Sequence, residues 1–216
     1  MQDVGAARQL LENIHALTKR ATEIIQIAAD GEKPVPPEPY SNMFGDTLLY
    51  AWNLSGKEQL WFPSLFCQYL VVDGMIHSIL LRGAIGVGDA IQQQGIMLGP
   101  GVTDAAAWYD QLDASGVVVT PKLGLLVEET RELVKDPTVF RQHYASSRVP
   151  LRGSRAQVMW TAPWPYTMVY MAAQDGRPPR RVLLQLLQKH EVPSGTESKY
   201  EHTINYYDEW VGAGTP

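Results

Sequence analysis

Apolar residues recur at three- and four-residue steps near the start of the chain. Leu10, Leu11, Ile14, Leu17, Thr18, Ala21, Ile24, Ile25 and Ala28 form one stripe, with Arg8, Glu12, Lys19, Arg20 and Glu23 supplying much of the other face. That spacing predicts a single amphipathic helix over 6–29, stopped by Gly31. Pro34, Pro36, Pro37 and Pro39 then forbid regular structure, so residues 31–39 read as a loop. Tyr40–Trp52 carries aromatic and aliphatic residues on both sides of Gly45-Asp46. This predicts two short strands joined by a two-residue type II′ turn with glycine at the positive-φ position.

From Gln59 to His77 the chain is apolar over too long a run for a strand, which predicts a buried helix with Pro63 tolerated in its first turn. Ser78–Gly88 reads as a buried strand whose glycines at 83, 86 and 88 mark close backbone approach or bulges. Ile96-Met97-Leu98 is a short return strand after a turn at 92–95. Thr103 or Asp104 is placed to cap a helix running through Leu112. Gly116–Thr120 reads as a strand and Lys122–Val134 as a helix. Ala156–Trp160 and Tyr166–Met171 read as paired strands around Pro163-Trp164-Pro165, and Pro179–Lys189 and Ser198–Trp210 as closing helices. The order predicts an α+β sandwich, with helices over one face of a largely antiparallel sheet.

Composition narrows the function classes. The 216 residues suit one domain with a C-terminal extension, divided on this reading into 1–135 and 136–216. Lys and Arg number 18 against 23 Asp and Glu, a net charge of −5, which argues against a dedicated nucleic-acid binder. The single cysteine, Cys67, excludes an intrachain disulfide framework and a multi-cysteine zinc site. Neither a signal-peptide pattern at Met1-Gln2-Asp3-Val4-Gly5 nor an uninterrupted apolar run long enough for a membrane span is found, so a cytoplasmic location is expected.

Four segments occur in an informative order: Phe44-Gly45-Asp46-Thr47-Leu48-Leu49, Leu81–Gly88 (LRGAIGVG), Leu98–Ala106 (LGPGVTDAA) and Ala114–Thr120 (ASGVVVT). Together they resemble the catalytic domain of class III nucleotide cyclases, and in particular the compact bacterial branch that includes the pyrimidine cyclases of anti-phage signalling. The late Lys199-Tyr200 and Tyr206-Tyr207 also look like the tail of that branch. The resemblance covers roughly residues 6–125. It implies a ferredoxin-like cyclase sandwich, a homodimer, and conversion of a nucleoside triphosphate to a cyclic mononucleotide second messenger and pyrophosphate. Attack of the ribose 3′-hydroxyl on the α-phosphate uses Mg²⁺ or Mn²⁺ to lower the hydroxyl's pKa and neutralise charge.

Carried over residue by residue, the resemblance makes Asp46 a metal ligand, Arg82 and Asn42 substrate contacts and Thr103 a catalytic-helix group. The family's second aspartate lies on a strand before the first helix. Only five residues stand there, and Asp3-Val4-Gly5 has a faint likeness to its end. The arginine position of the later helix falls at Ala107 or Trp108, neither of which replaces a guanidinium. The expectation is either a chain shortened at its N-terminus or a rebuilt site.

Each residue also has a plainer reading. Asp46 is a good turn residue, Asn42 a strand-end polar group, and Asp104 a helix N-terminal acid rather than a ligand. Arg82, in an apolar strand, needs either a carboxylate partner or a phosphate-bearing ligand. Trp160, Trp164 and Tyr166 form either a hydrophobic cluster or a stacking platform. The five histidines show no metal spacing, and Cys67 reads as a small buried hydrophobe. Two functions follow: a class III-like nucleotidyl cyclase, or a cyclase fold without turnover that dimerises or senses nucleotides.

Overall fold

The computed structural model describes residues 4–28, 38–44, 46–94, 96–134, 137–153, 155–190, 192 and 194–213. Its first element, α1 (Val4–Ala28), buries Leu17 and Ala21 against α2 (Trp61–Ile76), as the apolar stripe predicts. The expected loop at 31–39 falls mostly outside the described residues. β1 (Tyr40–Phe44) and β2 (Thr47–Ala51) form a two-stranded antiparallel sheet with Phe44 opposite Thr47, which puts positions 45 and 46 at the turn. Gly45, and with it the expected type II′ geometry, lies outside the described residues. Tyr50 and Trp52 stack edge-on against Phe66 of α2, with ring centroids at 4.8 and 5.1 Å, and the Tyr50 hydroxyl lies 2.6 Å from Thr18 Oγ1 of α1. The hairpin thus rides on the α1–α2 pair.

α2 is apolar nearly all round because it is covered on several sides, by α1, by a sheet and by α6 (Trp164–Gln174). It ends in a Schellman turn. The Ile79 N–H donates to Gly74 O (2.8 Å) and the Ser78 N–H to Met75 O (3.2 Å), with Ser78 at φ 62° where glycine is usual. The strand expected over Ser78–Gly88 is therefore confined to β3 (Arg82–Ile85), since residues 77–79 are spent closing the helix. β4 (Ile91–Gln93) and β5 (Ile96–Leu98) make a second small hairpin, followed by α3 (Pro100–Ala106).

The central sheet has the order β3-β6-β8-β7, where β6 is Gly116–Val119, β7 Ala145–Leu151 and β8 Arg155–Ala162. β3 and β6 are parallel and the other two pairings antiparallel, so the sheet is mixed and the fold α+β. Alternate residues divide between its faces, as period two requires. Ile85, Val117, Val119 and Ala162 face a layer made by α2, α4 (Pro121–Leu133), α5 (Pro137–His143), α6, α7 (Pro179–Gln188) and α8 (Glu197–Gly212). Ala84, Val118, Val149 and Met159 face the other way and are covered by Trp108, Leu112 and Ala114 from the chain after α3.

The region after residue 144 corrects the sequence expectation. The partner of β8 is β7, from Ala145 opposite Thr161 to Leu151 opposite Arg155, and residues 164–174 are helix. Pro150 disguises β7, but proline is tolerated on an edge strand, where β7 lies. Pro165 sits in the first turn of α6, a position that needs no amide donor. Trp164 is fully buried within the main core, with Trp160 packed against it, which is the hydrophobic cluster rather than an exposed platform at Trp164. Among the described residues, no helix is long and apolar enough to cross a membrane.

Candidate functional site

The residues singled out from sequence lie on four different elements, and local structure decides what each can do. At the C-terminal ends of the parallel strands β3 and β6, the chain 86–89 meets the start of α3 backbone to backbone. Gly88 has φ +152°, and a Cβ there would stand 2.7 Å from Gly101 N; one at Gly101 would stand 2.6 Å from Gly88 O. Gly99, at φ +138°, leaves no room either, because its Cβ would meet Asp89 O at 2.4 Å. The Gly101 N–H donates to Asp89 O at 3.1 Å. The glycines read from sequence as marking close approach include this crossing.

Asp104 completes the junction. Its Oδ2 accepts the Val87 N–H at 3.0 Å and the Thr120 hydroxyl at 2.6 Å. The same Thr120 Oγ1 accepts the Leu123 N–H at 3.3 Å and so caps α4. One carboxylate therefore ties the loop after β3, α3 and the β6–α4 turn together. Asp104 is thus inside α3 rather than an acid of its first turn, and its Oδ2 is spent on these two donors. Spacing from Asp104 to Thr120 alone would not have revealed the pair, because the contact depends on β3 and β6 lying side by side.

Thr103 does not cap α3. The helix begins at Pro100 with Gly99 before it, so Thr103 is already inside, where its exposed hydroxyl donates to Gly99 O at 3.2 Å. Arg82, partly exposed, is bonded to backbone rather than to a carboxylate. Its Nη1 donates to the backbone oxygens of Asp110 and Leu112, both at 3.4 Å, and the Asp110 carboxylate is taken by Arg152 at 3.0 Å. Arg82 thus fastens the segment covering the sheet's second face. Asn42 Oδ1 accepts the Met43 N–H at 2.8 Å, a turn-like bond within β1.

Asp46 is exposed at the turn between β1 and β2, where its Oδ1 accepts only a long bond, 3.4 Å, from the Thr47 hydroxyl. A Mg²⁺ or Mn²⁺ ion seeks about six oxygens, with protein carboxylates as anchors. Among the described residues no group of three or more His, Cys, Asp or Glu stands together. Among the described residues Asp46, Arg82 and Thr103 share no hydrogen bond or ion pair with one another.

Two other histidines have structural partners. His77 accepts or donates within a set made with Asp73 and Arg20, whose Nε lies 2.8 Å from Asp73 Oδ2. His202 Nδ1 lies 2.9 Å from Asp113 O, and Ser198 donates to Asp113 Oδ2 at 3.2 Å. Burial pushes the Cys67 thiol up to about 12, which makes it inert at neutral pH. His143 is placed differently. Its Nδ1 is buried without a hydrogen-bond partner beside the Trp61 ring, and burial lowers its pKa to about 4. A scan against protein-family models gives no match, and comparisons with curated proteins and with solved structures give no significant match.

Proposed function

We propose that this chain is a class III cyclase-like domain that works without turnover, as a dimerising or nucleotide-sensing module. The observation that supports this reading is the internal engagement of the polar groups the resemblance assigns to substrate. Arg82 is committed to backbone oxygens at 110 and 112, Thr103 to Gly99 O, and Asn42 to the Met43 N–H. Transition-state stabilisation in phosphoryl transfer needs positioned cations and metal ions around the α-phosphate. In this chain the position where a guanidinium is expected falls at Ala107 or Trp108, just past the end of α3.

A second reading, an active nucleotidyl cyclase in bacterial anti-phage defence, is favoured by one feature. Asp46 keeps an exposed carboxylate at the tip of a hairpin, available to a metal–nucleotide complex. The deciding experiment incubates the purified chain with each of the four ribonucleoside triphosphates and Mn²⁺ or Mg²⁺, following cyclic mononucleotide and pyrophosphate. The non-catalytic reading expects neither product. Cyclic product that disappears in Asp46→Ala overturns it in favour of the enzyme. Absence of both nucleotide binding, by calorimetry, and self-association, by sedimentation, removes the sensing and dimerising roles together.

A further inference from the structure

The β7–β8 hairpin runs past the strand that supports it. β6 pairs with β8 only at Val117–Ala162 and Val118–Thr161, because Thr120 caps α4 and the helix starts at Pro121. Backbone direction in β6 follows from its other neighbour. The Gly116 N–H donates to Leu81 O and the Thr120 N–H to Ile85 O, so even-numbered residues of β6 turn to β3 and odd-numbered ones to β8. Ala162, opposite Val117, therefore turns its N–H and C=O toward β6, and by alternation Trp160, Val158 and Ala156 turn theirs the same way. At Val158 and Ala156 β6 has already ended. Both residues are exposed, Val158 to 68%. The edge of β8 from Arg155 to Val158 is thus a row of backbone donors and acceptors with no strand beside it among the described residues.

β7 is closed at the same end. The Asp113 N–H donates to Pro150 O at 3.0 Å, the Arg152 N–H to Gln111 O at 2.8 Å, and Leu112 bridges Leu151, so residues 111–113 lie along its outer edge. Charge marks the open edge further. Residues 137–174 contain four arginines and no Asp, Glu or Lys, in a chain of net charge −5. Arg141 bonds to Ala213 O and Arg152 to the Asp110 carboxylate. Arg148 and Arg155 are exposed and have no carboxylate partner among the described residues; Arg155 Nε donates to Arg152 O. The register sets Arg148 beside Val158 on one face of the hairpin and Arg155 with Gln157 on the other. A strand added to β8 therefore meets a guanidinium on either face.

We infer that the β8 edge at Arg155–Val158 takes up an extended, acidic segment of a partner protein as an added strand. The segment's N–H and C=O groups complete the ladder at Ala156 and Val158, and its carboxylates meet Arg148 and Arg155. A second copy of this chain would bring arginine against arginine at the same edge. A nucleic acid would use the charges but carries no amide row to fill the ladder. The inference goes beyond the cyclase-like reading and does not depend on it.

Fluorescence anisotropy with the full chain tests this, using a rhodamine-labelled eight-residue peptide that alternates glutamate and valine. Its lysine–valine counterpart and a labelled oligothymidylate serve as comparisons. The glutamate peptide should bind, more weakly as salt rises, and both comparisons should bind about tenfold or more less tightly. Val158→Pro removes a ladder donor and sets a ring on the open edge, which should weaken the glutamate peptide about tenfold or more. The Val158 amide faces away from β7, so this variant keeps the fold, as an unchanged thermal midpoint shows. Arg148→Glu with Arg155→Glu leaves every backbone group in place and should reverse the preference toward the lysine peptide. Failure of the glutamate peptide to bind up to about 1 mM, or equal binding of the lysine peptide, overturns the inference. Peptide binding that a folded Val158→Pro chain retains overturns the added strand. Oligothymidylate bound as tightly as the peptide assigns the arginines to nucleic acid instead, and self-association lost in Val158→Pro assigns the edge to a second copy.

Discussion

The two ends of the central sheet are closed in different ways. At the ends of β3 and β6 that lead into α3 and α4, closure is by backbone against backbone at Gly88, Gly99 and Gly101, with one carboxylate, Asp104, bridging Val87 and Thr120. At the opposite end α8 lies across the strands and closes them through hydroxyls. Thr203 Oγ1 accepts the Ser115 N–H at 2.9 Å, the Ser115 hydroxyl donates to Leu81 O at 2.9 Å, and Thr161 and Tyr206 bond at 2.8 Å. The first end leaves no volume for a larger residue. The second has the volume of ordinary side chains but depends on matched polar partners. Steric closure fails abruptly, whereas hydroxyl closure fails by the cost of each unpaired group.

The largest effect should come from the steric end. Gly88→Ala combines a backbone clash with a φ that only glycine adopts readily, and should cost about 3–5 kcal/mol in urea unfolding. A loss under 1 kcal/mol would show that the crossing relaxes and that the contrast between the ends is weak. Asp104→Ala comes next at about 2–4 kcal/mol, since it strips acceptors from one amide and one hydroxyl. Asp104→Asn should recover part of that loss, because its amide oxygen still accepts. At the hydroxyl end, Thr203→Val removes the acceptor of Ser115 N–H while keeping shape, and should cost about 1–3 kcal/mol. Equal losses for Thr203→Val and Gly88→Ala would erase the distinction.

Acid sharpens the comparison at the α2–α5 seam, where polar partnering is incomplete. The Ser64 hydroxyl donates to His143 O, and Gln68 Nε2 donates to Gln142 O at 2.9 Å, yet His143 Nδ1 has no partner. Its folded pKa, about 4, lies below the ordinary histidine value near 6.5, so the unfolded chain binds the proton more tightly. This site costs nothing above about pH 7; stability falls as pH drops through 6.5, reaching a loss of up to about 3 kcal/mol near pH 4. In His143→Leu that portion of the acid sensitivity should vanish from a pH series of urea midpoints. The smallest effect has the opposite sign. Ser78→Gly should stabilise by up to about 1 kcal/mol in the same assay, by relieving a left-handed residue at the end of α2.

Much of the local structure was legible because the signals are local. The α1 stripe, the strands flanking residues 45 and 46, the apolar length of α2 and the β-branched run Val117-Val118-Val119 each lead to the element observed. Reading failed where tertiary context overrode the pattern. Ala145–Leu151 carries Pro150, which only an edge position allows in a strand, so the local pattern does not announce β7. Residues 166–171 read as strand because β-branched and aromatic residues are frequent there, but burial against α2, α7 and α8 makes them helix. The candidate site was less legible still. Motif order pointed to Asp46, Arg82 and Thr103, yet their roles depend on what lies opposite, and for Arg82 that is the backbone of residues 110 and 112.

By itself the sequence determined the first helix, the strands on either side of residues 45 and 46, the long apolar helix after them, and that glycines at 83, 86 and 88 mark close approach or bulges. Those properties follow from φ preference, side-chain period and the absence of a Cβ, all of which act within a few residues. Only the tertiary structure decided that Gly88 and Gly101 meet each other, that Asp104 is spent on Val87 and Thr120, and that Ile91, Ile96 and Leu98 are left facing outward. Pairing and exposure are properties of distant segments brought together, and no local preference encodes which partner a hydrogen-bonding group or an apolar face will find.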